Sequence, residues 1–220
     1  MKRILVLTLW AVLAAAPSWA MPVVEFSPDP STAGNWSYNG AIGVLSFDQD
    51  IAVDKAISST SDALVNAQVY LPSFYVSGSN GVYSLTPLGS SEVRFTDSTG
   101  TVTYMTGLLG GGDLHTIGTV AAGFSQYQSD ITNVQITAEG HALGSGALDL
   151  LSYLSSPSLD FDISLQGGSG GNYHSFAAMI DGGFSGTSGF SGSMSVPEPT
   201  TMALLGFGSL ALARRRRTTS

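Results

Sequence analysis

From Leu159 to Leu165 the chain alternates strictly. Leu159, Phe161, Ile163 and Leu165 are apolar, and Asp160, Asp162 and Ser164 between them are polar. A period of two marks a strand with one dry face and one wet face. Weaker versions of the pattern recur. Residues 64–71 put Val65, Ala67, Val69 and Leu71 on one face. Residues 131–139 put Val134, Ile136 and Ala138 on one face and Gln135, Thr137 and Glu139 on the other. Two hairpins are expected. Runs 74–76 and 82–85 flank Ser77-Gly78-Ser79-Asn80-Gly81, and runs 92–96 and 101–105 flank Asp97-Ser98-Thr99-Gly100. Strands are also expected over 41–47, 113–120, 173–180 and 184–194, whereas 22–39, with Pro22, Pro28, Pro30 and Gly34, reads as irregular. Gly-Phe-Ser-Gly at 183–186 recurs at 189–192 and reads as an edge strand or a linker. Residues 146–156 carry the one helical spacing, stopped by Pro157. The expected fold is all-β: an antiparallel β-sandwich or jelly-roll-like body with one short helix.

Charge divides the chain into three parts. Six of the eight basic residues sit at the ends, as Lys2, Arg3 and Arg214 to Arg217, leaving only Lys55 and Arg94 in between. Fifteen of the sixteen acidic residues lie in the body, whose net charge is therefore −13 where the whole chain shows −8. Such a body does not bind nucleic acid or anionic lipid by charge. There is no cysteine, so no disulfide, thiol nucleophile or thiolate metal site is available, and the fold must hold by burial.

The start reads as a signal peptide over 1–20: Lys2-Arg3, then an apolar run from Ile4 to Ala16, then Ser18-Trp19-Ala20 with small residues at −3 and −1. Cleavage is expected between Ala20 and Met21; an uncleaved anchor is the alternative. Residues 21–195 form the exported acidic domain, and 196–220 the last segment.

In that last segment Pro197 and Pro199 remove two N–H donors and favour an extended strip around Glu198. The apolar run from Met202 to Ala213 has 12 residues, about 18 Å as a helix against about 30 Å of bilayer hydrocarbon. It is a short transmembrane helix that leans on its flanks, with Arg214, Arg215, Arg216 and Arg217 marking the cytoplasmic side. A buried core helix is the bland alternative. Val196-Pro197-Glu198-Pro199, the short glycine-containing apolar run and the terminal arginine cluster together resemble the PEP-CTERM sorting signal of Gram-negative bacteria. The resemblance covers roughly the last 25 residues, and Thr218-Thr219-Ser220 extends past its usual end. It implies an exosortase-type membrane enzyme as partner, with Pro197, Glu198 and Pro199 as substrate residues. It also implies transient anchoring in the inner membrane, then release to the cell surface or outside, in association with exopolysaccharide and biofilm matrix.

Within the body no catalytic constellation stands out, and a non-enzymatic structural or adhesive role is expected. Gly167-Gly168-Ser169-Gly170-Gly171 matches G-x-S-x-G but lies between two expected strands, where that motif needs a strand and then a helix. His115, His141 and His174 fall on separate segments without a second ligand nearby. Asp48, Asp50 and Asp54 form the best acidic cluster and are the candidates for calcium, although the glycine and distal glutamate of an EF-hand are missing. No other cofactor is expected. Asp160 and Asp162 share a strand face, which suits either water or, as a carboxylate pair, a glycosidase. Tyr70, Tyr75, Tyr83, Tyr104, Tyr127 and Tyr173 suit either packing or a sugar-stacking surface. A carbohydrate- or calcium-binding module is thus the second reading, and a secreted hydrolase the third.

Overall fold

The computed structural model describes residues 22–28, 36–48, 51–79, 82–117, 124–153, 158–166 and 176–196. Residues Pro22–Val196 form one compact unit. Its strands are β1 (Pro22–Pro28), β2 (Trp36–Asn39), β3 (Val44–Phe47), β4 (Ile51–Ala56), β5 (Gln68–Tyr70), β6 (Phe74–Ser79) and β7 (Val82–Pro87). There follow β8 (Glu92–Thr96), β9 (Thr103–Leu109), β10 (Gly112–Ile117), β11 (Phe124–Ile136), β12 (Leu159–Leu165), β13 (Gly186–Ser188) and β14 (Phe190–Ser195). Among the described residues the short helices are α1 (Ala138–Ala142), α2 (Gly146–Ser152) and α3 (Phe176–Gly182).

The body is mostly β, as the alternation predicts, and it forms a closed barrel with extra strands rather than a clear sandwich. β12 pairs with β11 on one edge and β14 on the other, which shuts the ring β12-β14-β1-β4-β5-β8-β9-β11 into a closed eight-stranded barrel. The other six strands extend it. Ile131 of β11 pairs with Leu159 on one side and Leu109 of β9 on the other, while Gln128 pairs with Asp162 and with Asp113 of β10. β9 and β10 therefore run along the same edge of β11, as two halves of one strand bent at Gly110 and Gly111. The same holds for β8 and β7 along β9 and β10, for β5 and β6, and for β14 and β13; β4 and β3, and β1 and β2, likewise share an edge, with residues 49–50 and 29–35 between them outside the described ones. Eight antiparallel passes follow one another around the ring in chain order, an up-and-down arrangement. The bends at Leu71-Pro72-Ser73, at 88–91 and at Gly189 carry residues that read from sequence as turns, so each long pass looks like two sandwich strands.

The apolar faces meet inside, where the ring stacking is continuous. Phe190 packs on Phe47, Phe47 on Phe74, Phe74 on Tyr127, Tyr127 on Phe161 and Phe161 on Phe26, with centroids 5.0 to 6.1 Å apart. Edge-to-face geometry dominates, which favours aromatic pairs beyond their buried area. Tyr127 spends its hydroxyl on the Gly110 carbonyl at 2.8 Å, and burial pushes its pKa up to about 12. The strand Phe124–Ile136 is longer than the expected 131–139, and it bulges at Asn133, whose φ is 52°. Pro22–Pro28 is a barrel strand where irregular chain is expected: a register shift after Pro22 lets Val23 and Val24 both bury. In the 57–67 connection Leu64 is buried in place of Val65, because only Gln68–Tyr70 is strand.

Helices close both ends. α1 and α2 cover the end where Pro22 and Ser195 pair. α3 lies at the other, its Phe176 ring against Trp36 and Tyr38 at 5.0 and 5.4 Å. It stands where a strand over 173–180 is expected. α2 matches the expected helix as far as Ser152; residues 154–157 lie outside the described ones. Its N-cap, Ser145, accepts from the Leu148 N–H and donates to Asp62 Oδ1 at 2.6 Å, and Asp62 Oδ2 accepts from the Gly146 N–H. At the same end Asp97 accepts from the Thr99 hydroxyl and from the Val102 and Thr101 N–H groups, which hold its pKa down to about 2. Among the described residues no helix is long and apolar enough to cross a membrane; the expected transmembrane run 202–213 lies outside them.

Ser145→Ala removes both the cap and the tie to Asp62. It is expected to cost about 1 to 2 kcal/mol, which thermal unfolding reads as a fall in Tm of roughly 2–8 °C at this chain length.

Candidate functional site

With the interior filled by rings, the surface available for recognition is the outside of the barrel. There the pairing register lines up one polar row. Ser77 faces Ser84, Ser84 faces Asp113, Asp113 faces Gln128 and Gln128 faces Asp162. Asp162 in turn faces Ser193, Ser193 faces Glu25, and Glu25 faces Lys55. Strands sit about 4.8 Å apart, so this row of side chains runs roughly 30 Å around the barrel. A parallel row of His115, Gln126, Ser164 and Ser191 lies two residues further along.

Three shallow grooves adjoin along these rows. The first, about 470 Å³, is lined by Ser84, Thr86, Gly111, Asp113, His115 and Gln128. The second, about 420 Å³, shares Gly111 and Gln128 and adds Ser129, Asp130, Asp160 and Asp162. The third, about 370 Å³, shares Asp162 and includes Glu25, Asp54, Gln126 and Ser193. Gly111 is common to the first two grooves, and a Cβ on the next residue, Gly112, would collide with the Gln128 carbonyl of the neighbouring strand. Within the belt Gln126 donates to Asp162 Oδ1 at 3.1 Å and Lys55 pairs with Glu25 at 3.0 Å. Asp160 sits directly across from Asp130. Partial burial first, then the Asp130 and Asp162 carboxylates, raise the Asp160 pKa.

Sequence-predicted candidates are scattered by this geometry. Asp54 is exposed on β4 and lines the third groove; Asp48 is exposed at the end of β3, away from that lining; Asp50 lies outside the described residues. Among the described residues no three His, Asp or Glu side chains are grouped to hold a metal ion. His115 is on the outer face of β10, His141 is on α1 at the other end, and His174 lies outside the described residues. So does 167–171. Ser84 donates to Asp113 at 3.4 Å, a serine–carboxylate contact rather than the serine–histidine contact that activates a hydroxyl. The tyrosines divide: Tyr83 and Tyr127 are core, Tyr70 lies under the Arg94 guanidinium at 4.6 Å, Tyr75 is half exposed, and Tyr173 lies outside the described residues. No continuous tyrosine platform forms from the core members. The row from Ser84 to Glu25 is invisible to sequence reasoning because it depends on cross-strand register; only Asp160 and Asp162 hint at it.

The end of the body is also defined. Ser195 pairs with Pro22 on one side and Asp160 on the other, and Val196 packs partly against the core. The family model of the PEP-CTERM protein-sorting motif matches residues 195–217, beginning on that same Ser195. The chain carries a PEP-CTERM sorting motif. PEP-CTERM tails are recognised by exosortase, so the motif marks an exported protein with an exosortase-type partner and suggests transient membrane anchoring. The tail residues Pro197, Glu198, Pro199 and Arg214 to Arg217, and Ala20 and Met21 at the expected signal cleavage, lie outside the described residues. No curated protein and no solved structure matches the chain.

Asp160 supplies a pH-dependent test. Its folded pKa lies above the unfolded value, so the ionised form is penalised in the fold: the penalty is absent at pH below the unfolded pKa and complete above the folded one. Asp160→Asn is therefore expected to raise Tm at pH 7, with the gain fading towards pH 3 in a pH series of melts.

Proposed function

We propose that the mature body is a non-enzymatic surface or matrix protein with a structural or adhesive role, delivered by its PEP-CTERM tail and associated with exopolysaccharide. The polar row from Ser84 through Asp113, Gln128, Asp162 and Ser193 to Glu25 carries this reading. Hydroxyl, amide and carboxylate groups at strand spacing offer a long, shallow series of donors and acceptors, which suits an extended hydroxyl-rich polymer better than a small substrate. The ring-filled interior leaves that polymer the outside of the barrel. The Ser84–Asp113 contact, with His115 hydrogen-bonded to neither among the described residues, favours binding over hydrolysis.

Delivery is tested by fractionating cells that express the full chain or a form truncated before Val196. The full chain is expected in the membrane or surface fraction and the truncated form elsewhere; identical partitioning sinks the delivery claim.

A carbohydrate- or calcium-binding module is the second reading. The adjoining shallow grooves, lined by serine, glutamine and carboxylate side chains, favour its carbohydrate half. Calorimetry of the body against host exopolysaccharide, with and without calcium, separates the two partners. Heat that disappears in Gln128→Ala/Asp162→Ala supports the row. An unchanged response in that variant removes it as the binding surface.

A further inference from the structure

Between the end segments the chain holds only two basic residues, Lys55 and Arg94. Lys55 pairs with Glu25 at 3.0 Å. Arg94 lies on β8 with its guanidinium 4.6 Å from the Tyr70 ring centroid. Its Nε is buried and meets no acceptor, and among the described residues no carboxylate or carbonyl accepts from the rest of the group. A guanidinium presents five N–H donors. Here the protein answers them with a ring face alone, so part of its hydration is lost without replacement.

The group is nevertheless held in place. Tyr70 donates its hydroxyl to Gln68 Oε1 at 2.9 Å. Gly100, whose φ is 74°, leaves the space beside that hydroxyl which a Cβ would take. A cation over a ring fixed at its far end has its orientation set before a ligand arrives.

The neighbours are donors too. Register puts Tyr70 opposite Arg94, Arg94 opposite Thr106 and Thr106 opposite Gln135, a row of about 14 Å across four strands. Gln68 has its carbonyl engaged by Tyr70, which leaves its amide N–H groups to donate. The acids of the polar row stand on β10, β12 and β1. On β5, β8 and β9 the one acid is Glu92. It is two residues from Arg94, about 7 Å along the same face, and makes no ion pair with it.

An arginine fork without a carboxylate of its own fits a planar oxyanion, because two N–H groups match the two oxygens of a carboxylate. The hydroxyl and amide groups beside it suit sugar hydroxyls. We infer that Arg94, seated on Tyr70, receives the carboxylate of an acidic sugar, which makes this side of the barrel a uronate site separate from the polar row. The inference rests on the exopolysaccharide reading and narrows it to a polymer that carries carboxylates. The net charge of −13 does not bar such a polymer, since charges more than about 8 Å apart are largely screened at physiological salt.

The test is calorimetry of the full chain in detergent at physiological salt. The probes are polygalacturonate, the same polymer with its carboxyls methyl-esterified, and polyglutamate. The wild type is expected to bind polygalacturonate about tenfold more tightly than the ester, the scale of a charge-assisted hydrogen-bonded contact. Arg94→Gln should erase that preference while its thermal melt stays cooperative. Glu92→Gln, which leaves the fork and its ring untouched, should tighten polygalacturonate roughly two- to threefold by removing a like charge. Equal binding of the two galacturonate polymers by the wild type, a preference that survives in Arg94→Gln, or no gain in Glu92→Gln overturns the inference. Polyglutamate bound as tightly as polygalacturonate overturns the sugar assignment. Ester binding that depends on Gln128 and Asp162 but shows no carboxylate preference leaves the polar row standing and removes only the Arg94 site. Silence towards both galacturonate polymers removes both.

Discussion

Closure of the ring is the constraint on which the rest depends. With no cysteine, nothing covalent joins the first strand to the last, and the β1–β14 and β12–β14 ladders do that work. Closing a sheet removes its edges and with them the sites where other chains would pair. Closure also decides what the inside holds. Six rings in contact, from Phe190 to Phe26, fill the interior as side chains fill small barrels generally.

Much of the strand content is legible from period-two patterning. Leu159–Leu165 appears with the buried and half-buried residues alternating as its sequence does, and both hairpins stand where glycine and aspartate turns predict them. The architecture is not legible, for a physical reason: a bend within a long strand and a turn between two short ones use the same residues. Gly110, Gly111 and Pro72 read as ends of strands, yet the ladder resumes beyond them on the same neighbour. The run 183–194 misleads in another way. Its glycines read as a linker or an edge, yet Gly192 leaves the room that the Phe26 ring occupies, in the strand that shuts the barrel. α3 is missed because its buried apolar residues, Phe176 and Met179, cover one end of the barrel from a helix of only seven residues.

The site follows the same division. Asp160 and Asp162 are recognisable as one wet strand face, but their neighbours Gln128, Ser193 and Asp113 come from three distant parts of the chain. The tail is the reverse: Pro-Glu-Pro, the apolar run and Arg214 to Arg217 are contiguous and need no register to be read. What sequence alone misses there is Ser195, which belongs to both the signal and the fold.

Placing the closing strand at the far end of the body has a kinetic consequence. β1 and its partner β14 are separated by about 170 residues, a contact that must wait for nearly the whole body to be made and exported and that carries a large loop-closure entropy. Until then the outer edge of β1 is an unpaired strand in a partly formed sheet, the kind of species that aggregates. Thirteen net negative charges on a nearly lysine-free body keep such half-built chains apart by mutual repulsion. The acidity that reads as a surface property of the finished barrel is then also its protection during assembly.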